Sequence, residues 1–362
     1  MSDPRLPSSR VTVKQVAEAA GVATSSVSRV FARHPDTSKR MRARVLEAAN
    51  KLGYEPDLLA RGLRSGRTAT IGFVVRDISS PLFGDIVKGA EVKLRRAGYS
   101  ILLANSDGDA DLDTAHIRLF NRRRVDGLIL SLESESNPST LRALGDLRVP
   151  VVLLDREIPS LQQQRVTAVL CDHRTGARDA VSEMIAVGHR RIALITGPET
   201  IRPSRERLAG YLEAHRSGSL PVVDEFIRLG SHSERFGRRQ TLDLLGGAEP
   251  PTALLAGGVQ LGIGALNALS EVGLVPGSGF SVAVSDVIPA LSLLSHPLAV
   301  IRRDRHRMGE AAAGLMLTML KDGASLPEPV SVPTVYSPGQ LVAPVPGNVT
   351  TVDDPREGVN SQ

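Results

Sequence analysis

Val11–Phe31 reads VTVKQVAEAAGVATSSVSRVF. Thr12 followed by Gln15 has capping-box spacing: a hydroxyl oxygen accepts from the third amide of a helix and an amide side chain reaches back. Val13, Val16, Ala17 and Ala20 then recur at helical spacing, and Gly21 can end the helix in a left-handed turn. A second short helix is predicted over Thr24–Phe31, with Val27 and Val30 inward. A third runs from Ser38, a plausible N-cap, through Met41, Val45, Leu46, Ala49 and Leu52 to Gly53. Two short helices joined by a Gly-containing turn and followed by a third form a helix-turn-helix pattern. Any small three-helix bundle would share that pattern, but the outward face of the second helix is distinctive. Thr24, Ser25, Ser28 and Arg29 are short hydroxyls and one arginine, side chains that can reach base edges and phosphates in a major groove.

Charge supports this reading through its placement. The 362-residue chain carries a formal net charge of +5. Residues 1–70 hold 13 Lys and Arg against 6 acids, a net of +7, and the remainder nets −2. A small basic head on a weakly acidic body is the footprint of a polyanion partner. A hydrophobic fraction of 41% and a charged fraction of 23% are those of a globular protein. One cysteine excludes a disulfide scaffold and a cysteine-based zinc site. The polar start MSDPRLPSSR has no signal-peptide core. The most apolar stretch, Ala253–Leu269, is too short and too glycine-rich to span a membrane. It reads as a strand and turn entering a helix, and the protein as soluble and cytoplasmic, with no membrane partner.

Val11–Phe31 together with RARVLEAANKLGYEPDLLARGLRSGRTATIGFVV (Arg42–Val75) resembles the lac-repressor (LacI/GalR) family of bacterial regulators, and the likeness extends over almost the whole chain. The resemblance implies that Thr24, Ser25 and Arg29 read the major groove and that Thr12 contacts the DNA backbone. Ala23 departs from the family's usual serine, removing a helix cap of about 1 kcal/mol and a phosphate contact.

The basic segment Glu55–Arg67 can open a helix at Pro56 and close it at Gly66. One or two turns are marginal in water, and Gly62 weakens them by about 1 kcal/mol relative to Ala. Read alone, this is a linker. The resemblance makes it a hinge helix that folds on DNA, with Ala60, Leu63 and Arg64 at the minor groove. Leu63 would wedge between central base steps and kink the duplex, offsetting unstacking by contacts to bent DNA.

After Thr70, short apolar runs alternate with amphipathic helices. Strands are predicted at Ile71–Val75, Ser100–Ala104, Gly127–Leu130, Val151–Leu154, Ala168–Cys171, Ile192–Thr196, Phe226–Leu229, Ala253–Ala256, Ser281–Val284 and Ala299–Arg302. Helices are predicted between most of them, including Asp85–Ala97, Asp111–Arg123, Thr175–Val187, Ser204–His215, Phe236–Leu245, Gly262–Val272 and Arg307–Leu320. The fold class is α/β, an all-α helix-turn-helix head followed by doubly wound parallel sheets. Ten strands are too many for one small sheet, so two lobes are expected. The resemblance makes them a periplasmic-binding-protein-like core with a ligand cleft at the carboxyl ends of the strands.

The expected organisation is a head over 10–55, a hinge over 56–69 and a core over 70–343. Within the core, one lobe covers about 70–169 and 301–325 and the other about 170–300 and 326–343. A polar, Pro- and Gly-rich tail over 344–362 reads as disordered.

The body has no GxxxxGK[ST], GxSxG, HExxH or CxxC, so no catalytic, metal or cofactor assignment follows. His189 and Cys171 read as structural. The resemblance supplies effector-binding residues: Phe83 to stack on a ring, Asp155 and Arg156 after a strand, Arg207 to grip polar groups and Asp286 to accept from hydroxyls. Where the family often has Asn-Asp, this chain has Gly258 and Val259, so a hydroxyl-binding side chain is lost, with Gln260 as a possible substitute.

The function expected is a homodimeric repressor of a pseudo-palindromic double-stranded DNA operator, modulated by a small-molecule effector such as a sugar or related polar metabolite. A solute-binding protein would need export, and a cytoplasmic α/β enzyme would need catalytic motifs.

Overall fold

A computed structural model describes residues 11–31, 36–54, 67–161, 165–286, 298–321 and 325–339. The chain divides into two compact units, Met1–Thr68 and Ala69–Gln362. The hinge residues Ala60, Leu63 and Arg64 and the tail from Pro344 lie outside the described residues.

The first unit contains α1 (Val13–Ala20), α2 (Thr24–Phe31) and α3 (Lys39–Leu52). The capping box forms: Thr12 N–H donates to Gln15 Oε1 (2.8 Å), and Gln15 N–H donates to Thr12 Oγ1 (3.4 Å). Gly21 and Gly53 end α1 and α3 at φ of 61° and 63°, backbone that a side chain would strain. Arg44 on α3 donates through Nη2 to the carbonyls of Ala20 (2.9 Å) and Gly21 (3.1 Å), a cation where α1 runs out of amide partners. Val16, Val27 and Val45, one from each helix and fully buried, centre the core.

The second unit holds two six-stranded sheets. In chain order its elements are β1 (Thr70–Val75), α4 (Pro81–Arg96), β2 (Ser100–Asn105), α5 (Ala110–Arg122), β3 (Gly127–Leu130), α6 (Pro138–Gly145), β4 (Val151–Leu154), β5 (Val166–Cys171) and α7 (His173–Ala186). There follow β6 (Ile192–Thr196), α8 (Arg202–Ser217), β7 (Ile227–Leu229), α9 (Glu234–Leu245), β8 (Ala253–Ala256), α10 (Val259–Glu271) and β9 (Ser281–Ser285). The chain ends in β10 (Ala299–Arg303), α11 (Arg305–Met319), β11 (Val330–Val332) and β12 (Thr334–Ser337). The first sheet runs β11-β5-β4-β3-β1-β2 and the second β12-β10-β9-β8-β6-β7. Every neighbouring pair is parallel except β10 and β12.

Each sheet is covered on both faces, which is why its strands read as apolar runs rather than as alternation. In β1, Ile71, Phe73 and Val75 pack towards α4 and α11, while Val74 packs towards α5. The crossing of α4 and α11 is close because Gly89 and Gly309 face the opposing backbone. A Cβ on Gly309 would lie 1.9 Å from the Ile86 carbonyl oxygen.

The expected lobe boundaries need correction at the carboxyl-terminal end. β10 (Ala299–Arg303) lies wholly in the second sheet, so the expected boundary at 300/301 cuts through a strand. β11 lies in the first sheet although 326–343 was assigned to the second. The cause is backbone pairing: β5 leaves an open edge, and Val330–Val332 fills it in parallel register with Val169–Cys171. The chain therefore passes between sheets after β5, between β10 and α11, and between β11 and β12.

Candidate functional site

Two surfaces gather the residues singled out above, one in each unit. In the first unit, Thr24, Ser25 and Arg29 on α2 and Thr12 at the start of α1 are exposed, and Ser28 is half-buried. Val27 and Val30 pin the opposite face of α2 into the core. Ala23 offers no side-chain cap, and its carbonyl accepts from the amides of Ser26 (2.9 Å) and Val27 (3.2 Å). α2 thus presents hydroxyls and a guanidinium along one side of a short, well-anchored rod.

In the second unit a cleft of about 750 Å³, open mouth included, lies at the carboxyl ends of the strands of both sheets. Phe83, Asp155, Arg156, Arg207 and Asp286 all line it. Asp155 and Asp286 occupy equivalent places in the two sheets. Each stands one residue past a strand and donates its N–H to the neighbouring strand, Asp155 to Val169 (2.8 Å) and Asp286 to Ile301 (2.9 Å). Each then turns with positive φ, 52° and 74°. Such backbone costs about 1–3 kcal/mol where nothing else holds it; here the carboxylates are anchored.

The anchor is Arg303, which the sequence reading missed. Its Nε donates to Asp286 Oδ1 (3.0 Å) and its Nη2 to Asp286 Oδ2 (2.8 Å), a two-pronged pair. Its Nη1 donates to Asp155 Oδ2. Burial opposes charge on Arg303, but Asp286 and Asp155 outweigh it and keep the guanidinium protonated. Burial likewise pushes Asp155 upward, yet His173, Arg303 and the Cys171 amide hold its carboxyl well below the usual range. That amide donates to Asp155 Oδ1 at 2.8 Å.

His173 links this pair to Arg207. Its Nε2 faces Asp155 Oδ2 at 3.2 Å, without the alignment of a full hydrogen bond. Its Nδ1 accepts from Arg207 Nη2 at 3.4 Å. Burial lowers the imidazole to about 4, so it is neutral at pH 7. Because a guanidinium only donates, Nδ1 is the bare nitrogen and Nε2 carries the proton. Arg207 is 3% exposed, and its Nε and Nη1 have no hydrogen-bond partner. Burial first, then Arg303, lowers it to about 10, so it remains charged.

The other predicted residues make much of their contact within the protein. Arg156 is buried and spends Nε on the Leu132 carbonyl and Nη1 on the Asp155 carbonyl (2.9 Å). Phe83 is packed into the core of the first lobe, with one side on the cleft. His189 is structural in its surroundings, with Nδ1 2.8 Å from Thr252 Oγ1 and Nε2 2.8 Å from Ser281 Oγ. Glu135, also missed, is buried. Its Oε1 accepts from the Arg202 amide at the start of α8 (2.8 Å), and its Oε2 accepts from Arg205 (2.6 Å). No pattern in the sequence marks it; Arg303 could have been found by its position at a strand end.

Asp155, Cys171 and His173 place three ligand-type atoms within 4.8 Å of one another. They suit a cation poorly: Arg303 and Arg207 already bring positive charge against them, and burial pushes the Cys171 thiol up and away from thiolate.

Residues 12–57 match the model of bacterial regulatory proteins of the lacI family, and residues 68–338 match that of periplasmic binding proteins and the sugar-binding domain of the LacI family. The chain belongs to the LacI family. It is a DNA-binding transcriptional regulator with an effector-binding core. Among LacI-family relatives, the HTH-type transcriptional repressor PurR of Actinobacillus pleuropneumoniae serotype 3 (strain JL03) is 30% identical over 86% of this chain and 91% of its own length. The repressor CytR of Escherichia coli K12 is 29% identical over 86% and 90%. The crystal structure of the lac repressor dimer bound to operator and the anti-inducer ONPF superposes with a TM-score of 0.78 and 25% identity, covering 91% of this chain and 98% of that one. That of a putative ribose operon repressor from Burkholderia thailandensis gives 0.68 and 33%, covering 75% and 99%.

Gly258 caps α10 and Val259 is its first residue, the two positions expected above to replace an Asn-Asp pair. The His232 ring lies against Gly258, and a Cβ there would be 3.3 Å from His232 Cδ2. His232 and Gln260 both line the cleft with Gly258 and Val259, so polar groups remain there. Among the described residues no helix is long and apolar enough to cross a membrane.

Proposed function

We propose that this chain is a homodimeric repressor that reads a pseudo-palindromic operator and releases or tightens its grip according to a small molecule in the cleft. The observation that carries the reading is the exposed Thr24–Ser25–Arg29 face of a helix held in a basic unit. Thr12 and Ser28 extend that face towards the backbone, and Ala60, Leu63 and Arg64 supply the minor-groove contact. Arg207 is the principal effector contact, with Phe83 and Arg156 shaping the cleft. Asp155 and Asp286 set the relation between the lobes through Arg303.

Two edge strands favour a dimer. β2 leaves Leu102 and Leu103 exposed (37% and 38%) at the edge of the first sheet. Leu229 on β7 is exposed at the edge of the second, and Val222 and Val223, which precede that strand in sequence, are exposed too. Apolar edges left open invite strand pairing and aggregation, and a second copy would cover them. A two-fold dimer then imposes two-fold symmetry on its site. The relatives' names and the missing catalytic motifs favour a regulator over an enzyme, and the placement is cytoplasmic. Linkage requires that effector and operator change each other's affinity by the same factor.

The test is duplex binding by fluorescence anisotropy at rising salt, with mass measured by sedimentation. A dimer whose affinity falls steeply with salt is expected, because bound Lys and Arg displace condensed counterions. A salt-independent affinity would remove the DNA-binding reading.

A further inference from the structure

We propose that the cleft takes a small organic oxyanion, its carboxylate or phosphate seated on Arg207, rather than a neutral sugar. This rests on the effector-binding reading of the cleft. Three independent features point the same way.

The first is the distribution of donors and acceptors. Both deeply buried carboxylates of the cleft, Asp155 and Asp286, are engaged by Arg303. The more peripheral Asp77 accepts from the Ser79 amide (2.9 Å) and hydroxyl (2.6 Å). A sugar hydroxyl must donate as well as accept, and its strongest acceptors, the two buried carboxylates, are already compensated by a guanidinium, leaving the neutral Gln260 and His232. Gly257 and Gly258 bring no side chain where another acceptor could stand.

The second is charge. Arg76 is paired with Glu133, Arg156 holds two backbone carbonyls, and Arg303 is shared by two carboxylates. Arg207 alone among these four has a neutral imidazole as its hydrogen-bond partner, and its Nε and Nη1 are buried with none. A buried cation with unmet donors is costly, and an oxyanion meets both deficits at once.

The third is backbone. The first turns of α4, at Ser80, Leu82 and Phe83, and of α10, at Gly258, Val259 and Gln260, line the same cleft. Neither has an N-cap side-chain hydrogen bond. Helix N-termini carry partial positive charge and unmet amides, which favour an anion.

The full-length chain is followed by circular dichroism during heating, which suits a sequence with no Trp. Malonate, citrate and inorganic phosphate are compared with chloride at matched ionic strength, and with D-ribose and D-galactose. Wild type is expected to melt later by about 2–4 °C in at least one oxyanion and not in the sugars. Malonate or citrate acting without phosphate marks a carboxylate ligand, and the reverse marks a phosphate ester. The shift is expected to vanish in Arg207→Gln and to shrink in Arg207→Lys, which keeps the charge but not the planar donors. Melting of each variant in chloride alone shows whether it is folded. An equal oxyanion shift in wild type and folded Arg207→Gln, or none in wild type, overturns the proposal. Stabilisation by the sugars alone overturns it while leaving an effector cleft. If no addition acts on either melting or operator affinity, the effector reading falls with it.

Discussion

Arg303, the last residue of β10 in the second sheet, is ion-paired with Asp155, which follows β4 in the first. The two are 148 positions apart in sequence. Their pairing joins the two lobes at the floor of the cleft, and the same guanidinium grips Asp286. A ligand that draws Asp155, Asp286 or Arg303 towards itself would change how the two lobes are held.

Arg303→Met is therefore expected to cost stability out of proportion to its size. It strands two buried carboxylates, and breaking a buried pair from one side typically costs about 3–5 kcal/mol. Urea unfolding of the variant measures the loss; a change below about 1 kcal/mol would mean that the pairing is not maintained in solution.

The same pairing fixes an acid limit. Asp155 is held well below the usual carboxylate range. Its contribution is thus present above the unfolded-state value near 3.9 and lost as pH falls through the lower folded-state value. Removing Arg303 raises the folded-state value, so Arg303→Met is expected to unfold at a higher pH than wild type in an acid titration.

His173 acts in a different window. Its folded value of about 4 lies below the ordinary 6.5, so the unfolded chain binds the extra proton first. Stability contributed by the neutral ring is complete above about pH 6.5 and declines as pH falls towards 4. His173→Asn is expected to flatten that part of the stability profile without abolishing it, because buried His232 is also lowered. An unchanged slope would contradict a neutral, buried His173.

On the head, Arg29→Ala is expected to cost about 1–3 kcal/mol of operator binding and to relax preference at one base pair per half-site. Ala23→Ser restores a capping oxygen to α2 and should stabilise the head by about 1 kcal/mol. Competition binding with single-base operator variants checks the first, and thermal melting the second. Leu63→Ala should weaken operator binding and leave effector binding intact.

The sequence made most of the architecture legible. Apolar runs such as Val151–Leu154 and Ala253–Ala256 coincide with β4 and β8 because a strand buried on both faces needs an unbroken run. The core helices begin one to four residues before the expected starts: α4 begins at Pro81 rather than Asp85, and α5 at Ala110 rather than Asp111. Their first turns carry cap and cleft residues instead of the apolar stripe. The α6 helix, started by Asn137 and Pro138, is absent from the expected elements, and β11 and β12, at three and four residues, are too brief for alternation to reveal. At the cleft, the positions after strands were readable one at a time. That Asp155 and Asp286 share Arg303 was not, because a contact across 148 positions leaves no local pattern.

The central claim is that α2 reads DNA as one half of a symmetric pair. Selecting bound sequences from a random duplex pool with the purified chain tests it most directly. Enrichment of a pseudo-palindrome with a deformable central step, lost or altered at one position per half-site in Arg29→Ala, is the predicted result. A selected pool with no common sequence, or one indifferent to Arg29, would contradict it.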